Sequence, residues 1–290
     1  MAPASERVRV AIALGTLYLI WGSTYLGIRI AIESFPPFLM GALRFLVAGV
    51  ALYLFLRLRG VPPPTKAQWK GAAILGAFML VGGFGGVSFA EQWVSSGLAA
   101  LAVGATPLWA ALFAGFWGRW PSRLEWGGLA LGFSGLVLLN LDNHVRASSW
   151  GAIALLVGPA CWGFAAATSR RLTLPPGLMG SAAEMLTGAS MLLCISLARG
   201  ERLHTAPTWH SVLALGYLSL IGSLIGFSCF LYLLSHVRPA LATSYAYVNP
   251  VVAMGLGVWL AGEHVSSLAL IALPTILTGV VLVLAGRERS

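Results

Sequence analysis

Charge is scarce in this chain. Asp, Glu, Lys and Arg together make up 9% of 290 residues, whereas a soluble domain carries roughly 25%, so a water-facing surface cannot be built from it. Lysine is scarcer still, with Lys66 and Lys70 the two present. The glycine-rich stretch Gly82 to Gly86 has neither the lysine nor the preceding strand that a phosphate loop needs. Three cysteines, Cys161, Cys194 and Cys229, are odd in number and lie in apolar runs, which argues against a disulfide framework or a closed zinc site. The five histidines, His144, His204, His210, His236 and His264, sit in links or at helix ends, and no nucleophile stands beside a base. No metal or cofactor is therefore expected, and an intramembrane enzyme is disfavoured.

What the chain has instead is apolar length. Hydrophobic residues make up 58% and the mean hydropathy is +0.84. Val10 to Ile28 contains no charge, and at 1.5 Å per residue a run of that length crosses a bilayer core of roughly 30 Å. It is too long for a signal-peptide core, so the N-terminus is expected to be retained. Ten such windows recur, at 10–31, 37–56, 71–92, 97–118, 124–141, 150–169, 178–197, 211–234, 240–261 and 267–285. They predict an all-α polytopic membrane protein with ten transmembrane helices, short links and no soluble domain. The net charge of +9 invites a nucleic-acid reading, but the basic residues lie between apolar runs rather than on one face. Thirteen of the eighteen fall on one side of the predicted membrane, four on the other, and Arg44 lies within a helix. Basic links favour the cytoplasm, so both termini are placed there, the partner is the lipid bilayer, and no nucleic acid is implied.

The chain also repeats itself. LIWGSTYLGIRIAIESFPP at Leu19 to Pro37 returns as ACWGFAAATSRRLTLPP at Ala160 to Pro176. At one constant offset Pro36-Pro37, Met40-Gly41 and Gly49 match Pro175-Pro176, Met179-Gly180 and Gly188. Further on, Gly97 to Leu108 matches Ala240 to Val251, which sets Thr106-Pro107 against Asn249-Pro250. Five helices per unit is an odd number, so the second copy enters the membrane from the opposite side. The units are 1–145 and 146–290, two inverted five-helix repeats forming one integral domain. Inverted repeats are a common basis of transporters, with the substrate held at the repeat interface near the bilayer midplane.

These landmarks, with ATPLWAALFAGFWGRWPSRLEWGGLALGFSGLVLL closing the first half and VNPVVAMGLGVWLAGEHVSSLALIALPTILTGVVLVL closing the second, resemble the drug/metabolite transporter (DMT) superfamily, and within it the EamA family. The resemblance covers essentially the whole chain. It implies an inner-membrane exporter of amino acids or related small metabolites, similar to the YddG-type aromatic amino acid exporters. It also implies that helices 1, 3, 4, 6, 8 and 9 surround a cavity while helices 5 and 10 lie outside.

Candidate site residues follow from depth. Pro107 and Pro250, in matching places, each free a backbone carbonyl that lipid cannot satisfy; the readings are substrate contact or hinge against a static kink. Pro159 and Pro274 lie at similar depth. Trp21, Tyr25, Trp109, Trp162, Tyr245 and Tyr247 are aromatic residues away from the interfaces where Trp and Tyr concentrate, and the alternatives are cavity lining and packing between helices. Ser23, Ser88, Gln92, Thr106 and Asn249 add hydrogen-bonding groups, against the frequent alternative of bonding back to the helix. Arg44 and Glu184 are ionisable groups in nearly equivalent places. Arg44 is a candidate for a substrate carboxylate and Glu184 for a proton carrier, against snorkelling or a structural contact. Gly128 with Gly132 has the spacing of helix approach, within one chain or between two, so a monomer or a weak homodimer is expected. An aromatic wall with few acids favours neutral or aromatic amino acids over cationic drugs, and the confinement of both lysines to links disfavours nucleotide sugars.

Overall fold

The structure, a computed structural model, describes residues 4–141, 148–237 and 244–287. His144, Arg146, Arg238, Arg289, the boundary between the units and the expected helix start at 240–243 lie outside them. Among the described residues the chain forms ten helices: α1 (Ala4–Ala31), α2 (Pro37–Leu58), α3 (Lys66–Ala90), α4 (Ser96–Trp117), α5 (Arg123–Asn140), α6 (Ser149–Arg171), α7 (Leu178–Ala198), α8 (Trp209–Tyr217, Leu218–Ile225 and Gly226–His236 in succession), α9 (Tyr245–Ala261) and α10 (Ser267–Arg287). Eight of them are long and apolar enough to cross a membrane, and α9 is a shorter apolar helix.

Local chemistry fixes the ends. Pro37 opens α2, where its missing N–H costs nothing. Thr65 and Gln68 form a reciprocal cap on α3, which starts the helix at Lys66. Lys66 and Lys70 therefore lie in its first turns rather than in the link where the sequence puts them. Ser122 and Glu125 cap α5 in the same way. Two departures from regular helix stand out. First, α4 is interrupted at Gly104–Ala105 and resumes at Thr106 with Pro107 in its new first turn, so the expected single helix is two. Second, α3 and α8 each carry a π-helical segment, Ala77–Gly85 and Leu218–Ile225, at matching places in the two units.

Packing follows the inverted repeat. α1 packs on α8 and α9 of the other unit, and in return α6 packs on α3 and α4. α2 pairs with its own counterpart α7, and α5 with α10. Glycines set these approaches. A Cβ on Gly279 of α10 would stand 2.5 Å from Gly132 of α5, backbone against backbone, so the glycine spacing in α5 is taken up inside the chain. Gly82 and Gly86 of α3 face Cys161 and Gly158 of α6, while Gly222 and Gly226 of α8 face Thr24 and Trp21 of α1.

Candidate functional site

A cavity of about 170 Å³ lies where α1, α3, α4, α6 and α9 converge. Each helix gives it one stripe: Trp21, Thr24, Tyr25 and Ile28 from α1; Phe84 and Val87 from α3; Val103, Thr106, Pro107 and Ala110 from α4; Trp162 and Ala166 from α6; Tyr245, Ala246, Asn249 and Pro250 from α9. The stripes follow the three- and four-residue spacing of one helix side. Contrary to what the resemblance implies, α8 gives no lining residue among the described residues, and α10 supplies Leu284.

The wall is aromatic and braced from behind. Trp21 meets Tyr245 edge-on at 4.7 Å and lies 5.6 Å from Phe227 and 5.3 Å from Phe230. On the other side Trp162 packs on Phe84 at 4.6 Å. The Trp21 indole N–H donates to the Gly222 carbonyl at 3.2 Å, within the π segment of α8, where Ser223 Oγ reaches back five residues to the Leu218 carbonyl at 3.0 Å. π geometry breaks the regular four-residue ladder, and the ring is anchored on a carbonyl of that segment.

Two polar atoms on the wall have no partner. Thr106 and Asn249 line the cavity, and their Oγ1 and Oδ1 atoms are buried with no hydrogen-bond partner among the described residues. They belong to the matched Thr106-Pro107 and Asn249-Pro250 pairs, and the interruption of α4 touches α9: a Cβ on Gly104 would meet the Pro250 ring at 3.2 Å. An unsatisfied buried group costs about 1–3 kcal/mol, so each atom is a vacancy in the hydrogen-bond accounting that a solute can fill.

Of the sequence candidates, the cavity gathers Trp21, Tyr25, Thr106, Pro107, Trp162, Tyr245, Asn249 and Pro250. Seven others lie off it. Ser23 bonds back to the Leu19 and Ile20 carbonyls and across to the Tyr217 hydroxyl of α8. Ser88 is buried in α3 outside the lining. Gln92 is exposed past the end of α3, its amide donating to the Phe89 carbonyl at 2.9 Å. Trp109 lies on the flank of α4 that faces Phe133 of α5, 4.8 Å away, and its indole nitrogen is buried without a partner. Tyr247 points away from the Tyr245–Asn249 stripe into the core. Arg44 does not snorkel: it is 2% exposed, donates to Ser223 Oγ at 3.1 Å, and stacks on Phe45 and Phe84 at 4.9 and 5.1 Å, behind the wall. Glu184 is buried in α7, with Oε1 unpartnered and its backbone against Gly76 of α3.

Sequence reasoning missed Thr24, Phe84 and, behind the wall, Glu91. Glu91 is 0% exposed and neither carboxylate oxygen has a partner. The signal was its position inside the 71–92 window, beside the chosen Gln92.

Known proteins align with this chain along its length. The EamA-like transporter family matches it twice, over residues 9–141 and 149–285. The uncharacterized inner membrane transporter YedA of Escherichia coli K12 is 45% identical over 95% of this chain and 90% of its own. A probable terminal-alkyne amino-acid exporter of Streptantibioticus cattleyicolor is 28% identical over 96% and 95%. One crystal structure superposes with a TM-score of 0.67 at 22% identity, over 96% of this chain and 98% of that one, a likeness of fold.

Proposed function

The chain belongs to the EamA-like transporter family, and from that premise we propose that it exports neutral, chiefly aromatic, amino acids or similarly small metabolites across the inner membrane. The two halves rock about the central cavity, exposing it to one side at a time, with both termini in the cytoplasm. Thr106 Oγ1 and Asn249 Oδ1 carry the reading, as unpaired polar atoms in an otherwise aromatic wall. Asn249 Oδ1 is an acceptor that suits an ammonium or amide N–H, the Thr106 hydroxyl donates or accepts, and Trp21, Trp162 and Tyr245 supply apolar faces for a side chain. Size supports it too, since about 170 Å³ is below the roughly 300–1,000 Å³ of sites for drug-sized ligands. The amino-acid exporter among the relatives favours the same substrate class. Pro107 and Pro250 both line the cavity, Pro250 beside Gly104 of the other half, and serve as the flexing points.

Proteoliposomes holding the purified chain test this against a panel of amino acids, a quaternary ammonium dye and a nucleotide sugar. Saturable transport of phenylalanine or tryptophan is expected, weakened when Trp21 and Trp162 are both replaced by Ala. Transport of the dye or nucleotide sugar, with every amino acid inert, refutes the substrate class.

A further inference from the structure

Glu91 has no role in that reading, yet its placement is unusual. It follows Ala90, the last residue of α3, with no exposed surface and both carboxylate oxygens unpaired. A carboxylate left charged and unpaired in such a place costs several kcal/mol, so the side chain rests here as the neutral acid. The charged and titratable groups around it are Arg29, Arg44, Glu263 and Tyr25, and none of them hydrogen-bonds its carboxylate. Arg29 of α1 donates to the main-chain carbonyl of Glu91 itself. Arg44 of α2 is bound to Ser223. Glu263, between α9 and α10, accepts from the Ser96 N–H at 2.9 Å and the Ser96 hydroxyl at 2.8 Å, capping α4. Tyr25 of α1 is an electrostatic neighbour of Glu91 and also lines the central cavity.

Glu91 itself lines neither of the two spaces near it, but its neighbours do. On one side is the central cavity, lined by Tyr25. On the other is a polar chamber of about 390 Å³ lined by Leu26, Arg29, Glu33, Trp93, Glu263 and His264, at the end of α1 that faces outward if the termini are cytoplasmic. We propose that Glu91 is a proton-binding site coupling export to the inward proton gradient. With the carrier open outward, the chamber is wet and the Glu91 carboxylate takes up one proton. The neutral acid is then sealed between the helices, and the empty carrier returns. Opening to the cytoplasm with solute in the cavity releases that proton, and Arg29 exchanges the Glu91 carbonyl for the carboxylate. One proton enters for each solute that leaves, and no other reactant is needed.

The proposal rests on the transport reading, so the test has one arm that does not. Infrared spectra of the protein in liposomes are compared for the wild type, Glu91→Gln and Glu184→Gln. A protonated-carboxyl C=O band at neutral pH that Glu91→Gln removes and Glu184→Gln leaves is expected; a band untouched by Glu91→Gln overturns the proposal whatever the substrate. In the second arm, phenylalanine is followed in proteoliposomes with and without an imposed proton gradient. Wild type is expected to accumulate it, and Glu91→Gln to exchange it downhill without accumulation; accumulation by Glu91→Gln overturns the proposal. If wild type moves no phenylalanine, the substrate reading fails while the infrared arm still decides Glu91. If Glu91→Gln does not fold, Glu91→Asp is expected to keep accumulation with a displaced pH dependence, and an unchanged pH dependence overturns the proposal.

Discussion

Replacing Asn249 by Leu separates a binding role from a structural one. The two side chains are close in size, so Asn249→Leu keeps the shape of α9 while deleting the unpartnered Oδ1. In the empty protein that atom costs about 1–3 kcal/mol by lying buried without a hydrogen bond, so its removal should leave thermal stability equal or higher. In the loaded protein the same atom would accept from a charged ammonium, a bond of about 1.5–3 kcal/mol. At 1.4 kcal/mol per factor of ten, its loss weakens phenylalanine affinity roughly 10- to 150-fold. Substrate saturation in proteoliposomes reads the affinity, and thermal unfolding in detergent reads the stability. Opposite movement of the two is the signature of a group held in reserve for a ligand. A variant that is less stable but binds as well as wild type would refute the reasoning, because Asn249 would then be bracing the helix.

Three further changes probe the scaffold. Thr106→Val removes the second orphan and should weaken affinity less than Asn249→Leu, since a neutral hydrogen bond is worth about 0.5–1.5 kcal/mol; saturation curves for the single and double variants show whether both atoms hold one solute. Gly279→Ala drives a methyl against the Gly132 backbone at 2.5 Å and should destabilise by about 1–3 kcal/mol or more, whereas Gly127→Ala, with nothing within 4 Å, should be neutral by the same melting assay. Gly226→Ala places its Cβ on the Trp21 indole nitrogen; the ring must leave the Gly222 carbonyl, and tryptophan fluorescence together with affinity should both change.

Hydropathy and the repeat made the architecture legible, because the cost of burying polar groups in lipid leaves a long, predominantly apolar run for every span. The paired motifs located Thr106-Pro107 and Asn249-Pro250, which do meet at the cavity. Facing was harder to read. A membrane helix is apolar all round, so no stripe marks its inner side, and Trp109 and Tyr247 were chosen for depth although they lie one flank away from the lining. Gln92 illustrates the same gap at a helix end, where an amide satisfies itself on the Phe89 carbonyl. The π segments left no trace in composition, since they are a choice of backbone ladder. Glu91 went unnoticed for a related reason: a window edge resembles a link until its side chain is seen to be wholly buried, with Arg29 of α1 on its carbonyl.

The interrupted α4 and α9, continuous over Tyr245–Ala261, are twins that differ. Gly104 and Ala105, where α4 parts, match Tyr247 and Val248, which are helical in α9. Under the proposed rocking of the two halves, the opposite state is held in that mismatch, and the alternative conformation is reached when the halves trade shapes. The interruption would then migrate from α4 to α9, while α2 with α7 and α5 with α10, each facing its own counterpart, would have no shape to trade. Those four helices become the stationary frame, and the break becomes a marker of which way the molecule faces.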